Sequence, residues 1–406
     1  MRNKNFDTTE IYSMFEDSKK LPLIELIKIR KDELNITNLQ LSNILSIDKT
    51  TLERLLSRIE NGEVKSVDFY QILKISQFFN IDIKELSQYY VSSLNSKTIG
   101  ELEKSRIGSY ILDRFDIDGL KRIGFINNKN DIKEIEKRII SFFGLSSIFD
   151  YDKVIYKPLF SKTQRNGDDK MRIFWINCAI HQFEKIDNQN KYDCNKLRAL
   201  IPKIRPYTRY EKNGFKTVIQ ALFNVGVTVI VQPYLTKTEV RGATFAVNSK
   251  PCIVITDFNK TYTTIWFALL HELFHVLYDF EELKTWKYHL TNDSTPELTL
   301  FREKYADHFA MEILFSEEKL SFVKSIIKSN LLVEQYAKEN QVHPSIIYSF
   351  YCYDEKEKGN NFYPFYQKYF GKSDKLLKQV KSNPYTKKSI ADEIELIKQI
   401  LEPTYK

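Results

Sequence analysis

One short run constrains this chain more than any other: His-Glu-Leu-Phe-His at positions 271–275, inside the apolar stretch 266–277. Residues four apart lie on the same side of an α-helix, so His271 and His275 can offer two imidazoles to one metal ion. Glu272 is offset by one position and is placed to take a proton from a metal-bound water. The alternative is an amphipathic core helix whose histidines only bond neighbouring side chains. The pattern favours a zinc site, with one ion per chain.

A second helical pattern, at 301–314, supplies acidic side chains for such a site. A catalytic zinc needs a third protein ligand beside two histidines, and a carboxylate is a frequent choice. Glu303 and Asp307 lie four apart, on one face of this predicted helix. We expect Glu303 to be the third ligand, and Asp307 to accept a hydrogen bond from the free N–H of a ligating imidazole. Without the histidine motif, the pair would indicate only a solvated helix face.

The residues before the motif predict a small sheet. A helix is expected at 216–224, followed by β-rich runs at 227–231, 243–247 and 252–256 that proline, glycine and asparagine residues separate. Three strands and the histidine-bearing helix make an α+β domain. The run 241–247 is either an ordinary core strand or an edge strand that pairs with a substrate backbone.

Together these motifs resemble the ImmA/IrrE family of bacterial zinc metallopeptidases, over roughly residues 215–320. The resemblance rests on Val-Arg-Gly-Ala at 240–243, Ile-Val-Ile at 253–255, the 271–275 motif, and Glu303 with Ala-Asp-His-Phe-Ala at 306–310. It implies a zincin-like fold and the hydrolysis of a peptide bond, since members of that family cleave helix-turn-helix repressors. Phe274 stands where the family usually has glycine, and Tyr305 where it often has another glutamate.

The N-terminal part of the chain predicts short helices, at 23–34, 38–45, 49–58, 66–79 and 83–90. A helix ends near Leu45, three residues turn, and Asp48 can cap the next helix. This is helix-turn-helix geometry, in which the first residues of the second helix enter the major groove of DNA. The candidate DNA-contacting residues are Lys49, Thr50, Thr51 and Arg54.

This stretch resembles the Xre/Cro-type repressor domain over about 65 residues, with Ser46 where that family commonly has glycine in the turn. The resemblance implies a double-stranded DNA operator as partner, and a homodimer because operators are two-fold symmetric. Residues 20–95, however, carry 10 Lys and Arg against 10 Asp and Glu, whereas a DNA-binding domain usually has a basic excess. A small helical domain that docks on another protein is therefore the alternative.

The length of 406 residues and the changes of pattern predict five parts. They are a polar lead-in at 1–20, an all-α helix-turn-helix domain at 21–95, a basic, mainly helical connecting or sensing region at 96–205, the metallopeptidase domain at 206–320 and a helical tail at 321–406. The middle region has 22 Lys and Arg against 15 Asp and Glu, so nearly all of the net charge of +8 lies there. Either a solvated surface or attraction to DNA phosphate or an acidic partner explains this excess.

Three features predict a cytoplasmic location. No apolar run reaches the roughly 18 to 20 residues of a membrane span, and the first residues lead into no apolar signal core. The four cysteines lie far apart and form no Cys-x-x-Cys pair, which favours reduced thiols in a cytosol. We therefore expect no membrane partner.

Motifs and resemblance together predict a DNA-binding regulatory zinc metalloprotease. Its substrate would be a repressor-type partner or the chain itself, and cleavage would derepress stress, mobile-element or defence genes. Zinc would lower the pKa of its water towards about 7 while Glu272 acts as general base. The alternative is a transcription regulator or antitoxin-like protein whose zinc domain is a sensor or scaffold with little peptidase activity.

Overall fold

The computed structural model describes residues 23–61, 68–82, 86, 96–154, 168–236, 238, 240–286, 288–290 and 297–402. The predicted lead-in at 1–20 lies outside these residues, as does the predicted helix at 83–90 apart from Leu86. The chain divides into two compact units, residues 1–109 and 110–406. The division into five parts stays a prediction.

The first unit is helical in its described part. Its helices are α1 (Leu23–Glu33), α2 (Asn38–Leu45), α3 (Lys49–Glu60), α4 (Phe69–Phe78) and the first part of α5 (Ser96–Arg114). Buried apolar residues of α1 to α4, among them Leu23, Leu52 and Ile75, form its core. The predicted helices at 38–45 and 49–58 are present, and Ser46 in the turn between them adopts the left-handed conformation, with φ at 52°.

The second unit combines helices with one small sheet. Before the sheet come α6 (Ile117–Arg122), α7 (Ile132–Phe143), α8 (Tyr151–Val154), α9 (Asp168–Ile186), α10 (Cys194–Leu200), 3-10 turns at Ile201–Lys203 and Arg205–Arg209, and α11 (Gly214–Asn224). After the third strand come α12 (Tyr262–Tyr278), α13 (Phe280–Trp286), α14 (Glu297–Leu314), α15 (Glu317–Ile326), α16 (Asn330–Glu339), α17 (Pro344–Glu357), α18 (Tyr363–Tyr366), α19 (Asp374–Leu377) and α20 (Ala391–Leu401). None of the described helices is both long and apolar enough to cross a membrane.

The sheet is mixed, with the strand order β1-β3-β2-β4. Its strands are β1 (Thr228–Gln232), β2 (Gly242–Val247), β3 (Lys250–Thr256) and β4 (Tyr288–Leu290). β1 is parallel to β3, whereas β2 is antiparallel to both β3 and β4. The predicted runs at 227–231, 243–247 and 252–256 are all strands, and β4 is a strand that the sequence pattern does not indicate.

The interpretation of 241–247 as an edge strand for substrate is wrong. Residues 243–245 of β2 pair with β4 on one side and with β3 on the other, because the chain after α13 returns to cover this edge. The alternative, an ordinary core strand, describes β2. Such a strand has no free backbone along these residues with which to pair a peptide.

Helix α12 lies at the centre of the second unit. The hydroxyl of Thr261 caps it by accepting a hydrogen bond from the backbone N–H of Thr264. Its side chains are apolar on nearly all sides, and Trp266, Leu269 and Leu270 are fully buried, as expected of a core helix. It packs against β2, β3 and α14, so polar groups on it must find partners within those elements.

The C-terminal residues pack onto the same unit. Helix α20 contacts α9 and α11, and the backbone N–H of Ser382 donates to the carbonyl of Val231 in β1. Arg138 of α7 makes a further link, because its guanidinium donates to the carbonyls of Phe125, Tyr385 and Lys388. One side chain thus joins segments about 250 residues apart in the chain.

We expect Arg138→Met to lower the free energy of unfolding of the second unit by about 2–3 kcal/mol, because three carbonyls lose a charged donor. Guanidinium denaturation followed by tryptophan fluorescence measures this, since all three tryptophans lie in that unit. Lys137→Met, at an exposed neighbour on α7, should change it by less than about 0.5 kcal/mol. Equal effects of the two substitutions would contradict the role of Arg138.

Candidate functional site

Two histidines of α12 and one glutamate of α14 converge on a single point. The Nε2 atoms of His271 and His275 are 3.3 Å apart. The Glu303 carboxylate places Oε2 3.3 Å from Nε2 of His271 and Oε1 3.5 Å from Nε2 of His275. The two histidine side chains are 3% and 0% exposed, and that of Glu303 is 14% exposed. Among the described residues, these form the only group of three metal-binding side chains.

The separations fit a metal ion of the size of zinc. Zn–N and Zn–O bonds of about 2.0–2.2 Å in a tetrahedron place neighbouring ligand atoms about 3.3–3.6 Å apart. The 3.3 Å between the two Nε2 atoms falls within that range, and one carboxylate oxygen of Glu303 lies within 4.8 Å of both of them. Two imidazoles and one carboxylate are also a donor set that catalytic zinc uses, with a fourth position left for water. The residues present could therefore hold a zinc ion.

The helical spacing of the two segments explains the convergence. His271 and His275 are one turn apart on α12, and Glu303 and Asp307 are one turn apart on α14. Ala306 shares the face of α14 that carries these acidic groups, and it is fully buried. A small side chain at this position lets α14 lie close to α12, which brings the carboxylates within reach of the imidazoles.

An aspartate orients each imidazole. Nδ1 of His271 donates to Asp307 over 2.8 Å, and Nδ1 of His275 donates to Asp279 over 2.7 Å. These bonds select the tautomer that leaves both Nε2 atoms for a metal. Sequence reasoning singled out Asp307 but missed Asp279. Its spacing of four from His275 was the available signal, because such a residue lies one turn further along the same helix face.

Asp279 is itself held by a cation. A guanidinium nitrogen of Arg302, on α14, lies 3.6 Å from its Oδ1. The same guanidinium donates to both carboxylate oxygens of Glu282, on α13. This chain of contacts connects His275 to the beginnings of α13 and α14, so three helices support one ligand.

Glu272 is buried between α12 and the sheet. Its side chain is 1% exposed, and its Oε2 accepts a hydrogen bond of 2.6 Å from the hydroxyl of Thr244. A Cβ atom at Gly242 would lie only 2.8 Å from Oε1 of Glu272, so this position of β2 has no room for a side chain. Sequence reasoning missed both β2 residues. Their spacing of two, which puts them on one face of a strand, was the only signal.

The electrostatics of the two histidines differ. Burial alone would lower the pKa of His271, but hydrogen bonds to Asp307 and Glu303 and the charge of Glu272 outweigh it and raise that pKa to about 10. Burial, together with the positive charge of His271, lowers the pKa of His275 well below its usual value. Without a metal, His271 is therefore the imidazole that holds the additional proton and the positive charge, whereas His275 stays neutral with its single N–H directed at Asp279.

Aromatic rings lie beside the centre. The ring of Phe274 is 4.7 Å from that of Tyr278 and 5.7 Å from that of Phe309, between centroids. Phe274 and Tyr278 follow His271 and His275 by three residues each, so they extend the imidazole-bearing face of α12. Tyr305 is 63% exposed. The side chain of Phe274 thus packs against α14 and Tyr278.

The candidate DNA-contacting residues lie on the first turns of α3. Asp48 caps this helix by accepting a hydrogen bond of 2.9 Å from the backbone N–H of Thr51. Lys49, Thr50 and Arg54 are exposed and Thr51 is half-buried. Arg54 also donates to the Thr51 hydroxyl over 3.3 Å. The three exposed side chains are available to a partner of the first unit.

Comparison of the chain with protein-family models, with curated proteins and with solved structures gives no match. Function must therefore be inferred from the residues themselves.

Metal affinity should depend on pH because His271 must lose its proton before it can bind an ion. With the pKa of His271 raised to about 10, that proton is present below this pH and competes with the metal. We expect the zinc affinity of chelator-treated protein to increase about tenfold per pH unit from pH 7 to 9, measured by competition with a coloured chelator. Asp307→Asn, which removes a cause of the raised pKa, should flatten this dependence. An affinity independent of pH would contradict the prediction.

Asp279→Asn should weaken zinc binding about 10- to 100-fold, because the amide can present its N–H to Nδ1 of His275 and favour the wrong tautomer. Glu282→Gln is the matched control: Glu282 contacts the same arginine but not the imidazole. Competition titration at a single pH compares the two variants. If both lose affinity equally, the aspartate does not act through His275.

Proposed function

We propose that this chain is a zinc-dependent endopeptidase joined to a DNA-binding N-terminal unit. The observation that carries this proposal is the convergence of His271, His275 and Glu303 within 3.5 Å of one another, beside the buried carboxylate of Glu272. Peptide hydrolysis by this class of enzyme needs three ligands for the metal and one further carboxylate that is not a ligand.

A bound zinc ion would supply a water of lowered pKa and polarise the substrate carbonyl. Glu272 would take the proton of that water and pass it to the leaving nitrogen. The hydrogen bond from Thr244 supports this role, because it fixes the carboxylate relative to α12. Asp307 and Asp279 would keep the imidazoles in the orientation that ligation needs.

We infer the substrate class from the first unit. A helix-turn-helix arrangement with exposed Lys49, Thr50 and Arg54 supports binding to double-stranded DNA, most simply as a dimer on a two-fold symmetric operator. We propose that the peptidase cleaves a repressor-type protein at such a site, or the chain itself. Either cleavage would change transcription of the genes that the operator controls.

Glu272→Gln should lower hydrolysis about 100- to 10,000-fold, because the amide cannot accept a proton. Zinc-loaded protein, alone and with unfolded casein, is followed by gel electrophoresis and mass spectrometry of the fragments. Zinc content should stay at one ion per chain, since Glu272 is not a ligand. Identical fragments from both proteins would show that the cleavage has another source.

Thr244→Val tests whether the hydroxyl of Thr244 supports Glu272 as the general base. It removes the hydroxyl that donates to Glu272 and keeps the side-chain volume, so we expect kcat to decrease about tenfold with unchanged zinc content.

If the wild-type chain binds one zinc ion and cleaves nothing, the proposed peptidase function fails, and a regulator whose zinc domain is a scaffold takes its place.

A further inference from the structure

An open cavity of about 1070 Å³ lies in the second unit, apart from the histidine centre. Residues of the two 3-10 turns after α10 and of the start of α11 line it. We call it the tyrosine cavity. Its charged and aromatic lining residues are Lys203, Tyr207, Arg209, Tyr210, Glu211 and Lys212.

The tyrosine cavity is positively charged. Its acidic residue, Glu211, is already neutralised, since its two oxygens lie 3.3 Å from Nε2 of His343 and 3.1 Å from Nζ of Lys375. No described carboxylate lies within 4.0 Å of the cationic groups of Lys203, Arg209 or Lys212. Three cations therefore face an open space without an acidic partner in the described part of the chain.

Two tyrosine rings stand beside these cations. Tyr207 is 38% exposed and Tyr210 is 64% exposed, and their ring centroids are 6.3 Å apart. An exposed aromatic ring has an apolar body that a partner can cover. The rings offer faces on which flat, apolar groups can stack.

The tyrosine cavity has a rigid wall. Gly214 begins α11 so close to this wall that a Cβ atom there would lie 2.0 Å from the carbonyl oxygen of Tyr207. Between the two tyrosines, the carbonyl of Thr208 accepts a hydrogen bond from Tyr262, and its hydroxyl accepts one of 3.1 Å from the backbone N–H of His343. The exposed rings are therefore presented by a backbone fixed to α12 and to the start of α17, which reduces the entropy lost on binding.

We propose that the tyrosine cavity binds single-stranded nucleic acid. Cations that follow a phosphate backbone and aromatic rings that stack on bases are the two elements of such sites. In a duplex the base faces are covered by their neighbours, so these rings favour an unpaired strand. An acidic protein segment would use the cations but would leave both rings without a flat partner. The inference does not involve zinc and stands or fails independently of the peptidase.

The test is fluorescence anisotropy of a labelled 12-nucleotide oligothymidine with the full chain. Tyr207→Ala and Tyr210→Ala should each weaken binding about 5- to 100-fold, whereas the phenylalanine variants, which keep the ring, should stay within about threefold of wild type. Arg209→Ala with Lys212→Ala should flatten the slope of log affinity against log salt by about 1.4, or about 0.7 for each phosphate that the protein no longer neutralises. Lys133→Ala with Lys137→Ala, at two exposed lysines of α7 that do not line the cavity, should leave affinity and slope unchanged.

Four results would overturn the proposal. The first is unchanged affinity in both tyrosine-to-alanine variants, with folding verified by circular dichroism. The second is equally tight binding of thymidine monophosphate, which would indicate a small nucleotide as the ligand. The third is tighter binding of polyglutamate than of the oligonucleotide, which would indicate an acidic peptide. The fourth is loss of binding in Lys49→Ala with Arg54→Ala, which would assign it to the first unit.

Discussion

Burying two imidazoles and a carboxylate within two turns of an apolar helix is the constraint on which the second unit depends. Each buried polar atom costs free energy unless it has a partner. On α12 the partners of these groups come from three places: Asp279 directly after the helix, Thr244 on β2, and the acidic groups of α14. The sheet, α12 and α14 must therefore pack together, and the candidate metal centre lies where these three elements meet.

The same helix links the candidate centre to the tyrosine cavity. Tyr262, in the first turn of α12, holds the backbone between the two exposed tyrosines, and His271 follows nine residues later. At 1.5 Å per residue the two positions are about 13 Å apart along the helix axis. One mostly buried helix thus supports both the candidate metal centre and the cavity for which we propose a nucleic-acid ligand.

Local pattern predicted much of this architecture. The helical spacing of the histidine motif, the cap at Asp48 and the apolar runs of β1 to β3 depend on neighbours a few residues away, and the sequence displays such relations directly. Long-range pairing is different. The short strand β4 contains Tyr288 and His289, and only its partner β2 makes it a strand. The three backbone contacts of Arg138 likewise join segments that no local pattern connects.

The residues of the candidate centre were likewise predictable only in part from local sequence pattern. Ligand types and spacing indicated Glu303 and Asp307, whereas the roles of Thr244 and Gly242 required the packing of β2 against α12. Helix α14 carries Glu303, Asp307 and Arg302 together. An ion held between α12 and α14 would therefore also stabilise the packing of these two helices. Binding of the ion and packing of α14 against α12 would then be coupled in one equilibrium. A chelator that removes the ion would therefore loosen the packing of α14 as well as abolish hydrolysis.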